Sequence, residues 1–126
     1  MPKIKIEGGR RLCGAVSLQG AKNSALPILA ASFLTSAPCI IHNCPRLSDV
    51  ETSLCILREL GCIVQTKDGA VMVDASRAEG FEISDALMRE MRSSIIFLGA
   101  IIAKVGRARL SYPGGCEAVW YPDCIA

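Results

Sequence analysis

Apolar and polar residues alternate at the start of the chain, from Lys3 to Glu7 and again over about Leu12 to Leu18. Alternation with a period of two is typical of strands that bury one face, so these runs predict two strands joined by a turn at Gly8-Gly9. An Ala- and Leu-rich stretch, Ala21 to Leu34, then predicts a helix. We expect Pro27 near its first turn, where a proline is tolerated.

The next elements are a short strand and a second helix. Pro38 to His42 is a compact apolar run that predicts a buried strand. Ser48 to Glu51 has the pattern of a capping box, in which Ser48 is the N-cap and Glu51 lies at position N3. Apolar residues at helical spacing follow, and Gly61 marks the expected end of this helix.

A hairpin follows the second helix. Asp68-Gly69, preceded by Lys67, lies between two alternating runs, Cys62 to Thr66 and Ala70 to Asp74. Because an Asp-Gly pair favours the tight turn of antiparallel strands, this pattern predicts a β-hairpin.

The last elements are a long helix and a strand. Ser84 to about Lys104 predicts one continuous helix with an apolar face, ended by Gly106, and Arg107 to Tyr112 predicts a strand. From Leu12 to Asp74 the predicted order is β-α-β-α-β-β, after which a second unit begins. The sequence therefore predicts an α/β protein.

Composition narrows the class of protein. With 126 residues the chain suits one domain, and its 14 basic and 12 acidic residues are scattered. No basic stripe with interleaved aromatic rings is present, so we expect no nucleic-acid partner. The longest apolar runs, such as Ile95 to Ala103, are about half the ~20 residues of a bilayer span, and the N-terminus lacks a signal-peptide core. We expect a cytoplasmic protein without a membrane partner, whose apolar faces pack on something beyond this chain.

Seven cysteines without a secretory signal predict reduced thiols and not a disulfide framework. Cys39, His42 and Cys44 match no zinc-binding spacing, so we interpret them as parts of a packed strand. We interpret Cys55 and Cys62 in the same way, on the apolar face of a helix and just past its end. No metal and no cofactor is expected.

Four residues are candidates for chemistry. Lys22 and Asn23 lie in the first turn of a predicted helix, where a lysine is unfavourable unless an anion is close. Arg92 lies beside an apolar helical face and could clamp a diphosphate or a carboxylate. Cys116 follows Pro113-Gly114-Gly115. The two glycines leave room for a ligand and allow positive φ angles. The alternatives are a solvated lysine, an ordinary surface arginine and a loop thiol without a role.

Four segments occur together in the order of a known family. They are Gly20 to Pro27, Leu47 to Val50, Met91 to Ile95 and Pro113 to Cys116. With them the chain closely resembles the N-terminal portion of the UDP-N-acetylglucosamine 1-carboxyvinyltransferases, the UDP-GlcNAc enolpyruvyl transferases. The similarity runs from about Ile4 to Cys116.

The resemblance implies both a fold and an activity. The fold is a partial inverse α/β barrel of the enolpyruvyl transferase family, with about one complete βαβαββ unit and the start of a second. The activity is transfer of enolpyruvyl from phosphoenolpyruvate to the 3-hydroxyl of UDP-N-acetylglucosamine, with release of phosphate, in peptidoglycan synthesis. Lys22 and Asn23 would bind phosphoenolpyruvate, and Arg92 would contact UDP-N-acetylglucosamine. Cys116 would be the proton donor, able to form an adduct with phosphoenolpyruvate and to react with fosfomycin.

The sequence departs from the family after Cys116. Tyr121 stands where the family has an arginine, and the family's Leu-His pair is missing from the last residues, Tyr121 to Ala126. The family's second domain is also absent, so we expect turnover to depend on that domain. We expect the apolar faces to be covered either by that domain or by self-association of the chain. One alternative is a truncated, non-catalytic binding protein. The other is the sister shikimate-pathway enolpyruvyl transferase, although the cysteine loop argues against it.

Overall fold

Helices cover one face of a three-stranded antiparallel sheet in the computed structural model, which describes residues 2–114. The elements in chain order are α1 (Lys22–Ser32), β1 (Cys39–Ile41), α2 (Ser48–Glu59), β2 (Ile63–Lys67), β3 (Ala70–Asp74), α3 (Asp85–Glu90), a 3₁₀ turn (Arg92–Ile95) and α4 (Ile96–Val105).

β3 is the central strand and pairs with β1 on one side and β2 on the other. Val73 lies opposite Cys39 in β1 and Val64 in β2. The β2–β3 turn has positive φ angles at both central residues, 51° at Asp68 and 78° at Gly69, as a tight turn of this type requires. The predicted hairpin and a strand within Pro38 to His42 are therefore confirmed. The predicted burial of that strand is wrong, because β1 lies at the edge of the sheet and Ile40 is 61% exposed.

The core lies between the sheet and the helices. Alternate residues of β3, Val71 and Val73, point into it and are almost completely buried. The helices contribute the larger side chains, which bury the apolar area that drives folding. These buried side chains include Leu26, Leu29, Phe33, Val50, Leu54, Leu57, Met88, Phe97 and Ile101.

The two ends of α2 differ in how far the local sequence predicts them. Gly61, with φ 95°, follows the helix as predicted, and the Gly61 and Cys62 amides donate to Arg58 and Leu57 carbonyls in a Schellman arrangement. The predicted capping box at the other end is wrong. Leu47 is the N-cap and accepts from the Glu51 amide at 3.0 Å, so Ser48 is already helical and no side chain caps the end.

The predicted position of Pro27 is also wrong. Pro27 lies inside α1, beyond its first turn, with its ring exposed to solvent. Because proline has no N–H, the Asn23 carbonyl loses its usual helical donor. The buried face of α1, formed by Leu26 and Leu29, still packs in the core, and this packing outweighs the missing hydrogen bond.

The single long helix predicted from Ser84 to about Lys104 is interrupted. Met91 adopts an extended conformation (φ −133°, ψ 124°) between α3 and the 3₁₀ turn. Its side chain is 1% exposed, so burial of the thioether in the core accompanies the break. Ser94 Oγ donates to the Met88 carbonyl at 3.1 Å and compensates part of the lost helical hydrogen bonding. Gly106, with φ 82°, ends α4 as predicted.

Three predicted strands do not form within residues 2–114. The segments Lys3 to Glu7 and Leu12 to Leu18 have no strand pairing, and Ile4 and Leu12 are 89% and 94% exposed. The order of elements is therefore α-β-α-β-β, without the predicted first strand. Arg107 to Tyr112 makes one parallel bridge, between Arg109 and Glu82. A strand needs a neighbour to satisfy its backbone groups, and the described part of the chain supplies none at these edges.

Lys104, near the end of α4, joins three elements. Its ammonium donates to the Phe33 carbonyl at 2.8 Å, the Thr35 carbonyl at 3.4 Å and the Ala75 carbonyl after β3. The ammonium also lies 4.8 Å from the centre of the Phe33 ring. A cation is favourable at the C-terminal end of α1, where carbonyl groups remain without helical partners.

Within residues 2–114, every helix is too short or too polar to cross a membrane, and the very apolar α4 has ten residues.

Candidate functional site

The N-terminus of α1 presents the first two candidate residues. Lys22 and Asn23 are the first residues of the helix, and both are exposed. Ala21 is the N-cap and supplies no side-chain cap, and no acidic residue lies in the first turn. A side chain on Gly20 would collide with the Asn43 carbonyl, so glycine permits this close entry into the helix. The end of α1 thus carries unpaired backbone donors beside an ammonium group.

Lys22 has a charge partner on the neighbouring helix. Its Nζ lies 2.5 Å from a carboxylate oxygen of Asp49, the second residue of α2. The Lys22 side chain is 46% exposed and that of Asp49 is 23% exposed. The unfavourable lysine at the start of α1 is therefore matched by an acidic residue of the same chain. Sequence reasoning missed this role of Asp49, although an acidic residue in a first turn was visible in the sequence.

The break at Met91 positions the third candidate. Arg92 is the first residue of the 3₁₀ turn and is exposed. The residues just before it contact α2: Thr52 Oγ1 donates to the Glu90 carboxylate at 3.2 Å, and Ser53 Oγ lies 3.6 Å from the Met91 sulfur. These contacts fix the start of the Arg92 turn against the first two turns of α2.

The loop before the fourth candidate folds back onto α3. The Gly114 amide donates to the Met88 carbonyl at 2.9 Å, and the same carbonyl accepts from Ser94 Oγ at 3.1 Å. A side chain at Gly114 would collide with the Arg89 carbonyl. Gly114 has no positive φ angle, so that part of the expectation is wrong for this glycine; a close backbone approach requires glycine here.

Cys116 lies outside the described residues, as do Gly115 and the altered ending from Tyr121 to Ala126. The described structure brings Lys22 to the start of α2, with Asn23 beside it in α1. It brings the Arg92 turn and the Pro113-Gly114 loop to a shared acceptor on α3. Among residues 2–114 no hydrogen bond or ion pair joins Lys22 directly to Arg92. The two groups are connected through α2.

The described cysteines differ in environment. Burial raises the pKa of the Cys62 thiol to about 11, although the positive charge of Lys104 opposes that shift. Burial also raises the pKa of Cys44, with a further contribution from the negative charge of Glu51. Cys55 is exposed, so its predicted place on the apolar face of the helix is wrong. The part of the chain that the structure describes holds no group of three or more residues arranged to bind a metal ion.

Comparison with known proteins identifies the family. The sequence profile of the family described as EPSP synthase (3-phosphoshikimate 1-carboxyvinyltransferase) matches residues 6–119. Two curated relatives named UDP-N-acetylglucosamine 1-carboxyvinyltransferase are similar to the chain. One, from Caldanaerobacter subterraneus, is 51% identical over 93% of the chain, and one, from Desulfosudis oleivorans, is 47% identical over 92%. The chain spans 28% of the length of each.

A solved structure has a similar fold. The enolpyruvyl transferase NikO from Streptomyces tendae superimposes with a TM-score of 0.71 and is 32% identical, covering 79% of the chain and 23% of NikO. The expected α/β fold class, a partial enolpyruvyl transferase domain, is therefore confirmed.

Proposed function

The chain belongs to the EPSP synthase family of enolpyruvyl transferases, and we propose that its ligands are phosphoenolpyruvate and UDP-N-acetylglucosamine. The relatives that carry the name UDP-N-acetylglucosamine 1-carboxyvinyltransferase support this choice within the family. The proposed reaction transfers enolpyruvyl to the 3-hydroxyl of the sugar and releases phosphate, as a step of peptidoglycan synthesis in the cytoplasm.

The Met88 carbonyl carries the structural argument. It accepts hydrogen bonds from both Gly114 and Ser94, so the loop that leads to Cys116 and the turn that begins at Arg92 share one anchor. Cys116 follows Gly114 by two residues, so the Cα atoms of these two residues are at most about 7 Å apart in an extended chain. This shared anchor supports the proposal that Cys116 and Arg92 serve one ligand.

The chemistry assigns a role to each proposed residue. Addition of the sugar hydroxyl across the double bond of phosphoenolpyruvate requires a proton at the methylene carbon, and Cys116 is the proposed donor. Later loss of that proton and of phosphate restores the double bond on the transferred group. Lys22 and Asn23 would hold the phosphate and carboxylate of phosphoenolpyruvate at the α1 N-terminus. Arg92 would hold the nucleotide sugar.

Thiol labelling tests the site in the intact chain. We expect fosfomycin to alkylate Cys116 in preference to the other six cysteines, as measured by mass spectrometry of peptides. Lys22→Met should slow this labelling at least tenfold because it removes the cation that attracts the reagent's phosphonate. Lys67→Met, in exposed β2, is the matched control and should leave the rate unchanged. Labelling spread evenly over the exposed thiols would contradict the proposed site.

A non-catalytic binding protein is the second candidate, because these 126 residues span 28% of the length of the relatives that carry the transferase name. Phosphate release from phosphoenolpyruvate in the presence of UDP-N-acetylglucosamine separates the two. Release that depends on Cys116 supports the transferase in this chain. Fosfomycin labelling without phosphate release, even at high protein concentration, supports the binding protein.

A further inference from the structure

The Lys22–Asp49 ion pair joins the first turns of two helices. Nζ and the carboxylate oxygen are 2.5 Å apart, and Asp49 is the more buried partner. The first turn of α1 has no acidic residue of its own, whereas that of α2 has Asp49 and Glu51. The charge that holds Lys22 therefore comes from another helix, so the position of the ammonium depends on how α1 and α2 pack.

Asp49 lies one turn before two α2 residues that contact the segment preceding Arg92. Ser53 Oγ donates to the Asp49 carbonyl at 2.9 Å and lies 3.6 Å from the sulfur of Met91, the residue before Arg92. Thr52, on the same turn, donates to Glu90. The part of α2 that carries Asp49 therefore also contacts the segment that begins the Arg92 turn.

An ammonium group has three N–H donors, and an ion pair with one carboxylate oxygen leaves donors free for a second anion. A free lysine side chain loses rotational freedom when it binds a ligand, and this loss opposes binding. Holding the side chain in place before binding removes part of that cost. The Asp49 carboxylate also repels an incoming anion. Holding the lysine side chain in place therefore favours binding, whereas this repulsion opposes it.

We propose that Asp49 is a positioning residue, which holds the Lys22 ammonium at the start of α1 so that it can bind the phosphate or carboxylate of phosphoenolpyruvate. This inference rests on the proposed function, because it takes phosphoenolpyruvate as the anion at Lys22. It predicts that removing the carboxylate weakens binding even though it removes a repulsive charge.

The first experiment tests the ion pair without a ligand. The intact 126-residue chain is treated with a limiting amount of sulfo-N-hydroxysuccinimidyl acetate, and mass spectrometry gives the acylation rate at each lysine. We expect Lys22 to react at least threefold more slowly than exposed Lys67 in the wild type, and at a similar rate to Lys67 in Asp49→Asn. Equal reactivity of Lys22 in the wild type and in the variant would show that Asp49 does not hold the amine, and would overturn the proposal.

The second experiment measures the effect on binding. Phosphoenolpyruvate is titrated into the ¹⁵N-labelled chain, and the amide signals of Asn23 and Ser24 report binding at the start of α1. We expect Asp49→Asn to weaken binding about tenfold, Asp49→Glu to restore it to within threefold of the wild type, and Lys22→Met to abolish it. Glu51→Gln removes the other first-turn acid of α2 and is the matched control, which should change binding less than twofold.

The outcomes separate this inference from the proposed function. If the wild type binds phosphoenolpyruvate and Asp49→Asn binds as tightly or more tightly, Asp49 only competes with the ligand. The inference is then overturned while the function stands. If the wild type does not bind, the proposed function fails, and the inference fails with it because the ion pair is then structural.

Discussion

Replacing Lys104 by methionine tests whether one side chain holds the sheet and two helices together. Methionine keeps most of the apolar stem and removes the ammonium. The Phe33, Thr35 and Ala75 carbonyls then lose their donor in a partly buried site, where an unsatisfied acceptor is costly.

The size of the effect follows from these contacts. Hydrogen bonds that involve a charged group contribute about 1.5–3 kcal/mol each, but Lys104 is partly exposed and one of its contacts is long at 3.4 Å. We therefore take about 1 kcal/mol for each of the two shorter bonds. The end of α1 and the Phe33 ring add about 1 kcal/mol together. The expected loss in the free energy of unfolding is about 3 kcal/mol.

Urea unfolding followed by far-UV circular dichroism measures this loss. With a slope of about 2 kcal/mol per molar urea, the midpoint should fall by about 1.5 M. Lys67→Met makes the same change in exposed β2 and should shift the midpoint by less than a third as much. A loss below 1 kcal/mol for Lys104→Met, or an equal loss in both variants, would refute the assignment of Lys104 as a link between elements.

Three further outcomes are expected. Gly114→Ala should slow the reaction of Cys116 with fosfomycin at least fivefold, because the added methyl group collides with the Arg89 carbonyl and displaces the loop; an unchanged rate would contradict the anchoring of that loop. Gly99 lies inside α4, and a methyl group added there would meet no neighbouring atom. Because alanine favours a helix more than glycine does, Gly99→Ala should raise the free energy of unfolding by about 0.5–1 kcal/mol in the same urea assay, and destabilisation would count against the packing of α4. The folded pKa of Cys62 is raised from 9.0 to about 11, so its contribution to stability is fully present below pH 9 and is lost as pH rises through 11. The free energies of unfolding at pH 8 and pH 11 should differ by about 2 kcal/mol more in the wild type than in Cys62→Ala, and equal differences would contradict the burial of that thiol.

Local patterns were sufficient where the physical cause is local. The β2–β3 hairpin follows from Asp68-Gly69, since both residues tolerate positive φ and the flanking runs alternate. The ends of α2 and α4 follow from Gly61 and Gly106 for the same steric reason. The order of four short segments was also sufficient to recognise the family, which the profile match over residues 6–119 bears out.

Contacts between distant residues account for what the sequence did not predict. Helical periodicity continues through Met91, but burial of that side chain and the contacts of Glu90 and Met91 with α2 accompany a break there. Alternation at Ile4 and Leu12 predicts strands, yet a strand forms only where a neighbour accepts its hydrogen bonds.

The candidate site shows the same difference between what local sequence predicts and what tertiary contacts decide. Residue types identified Lys22, Asn23, Arg92 and Cys116 as candidates, because their chemistry is carried by the side chain itself. The pairing of Lys22 with Asp49 joins residues on two different helices that lie far apart in the sequence, so no local spacing could reveal it. Charge and conformational preference can be read along a chain, whereas the distance between two charged groups is a property of how the helices pack.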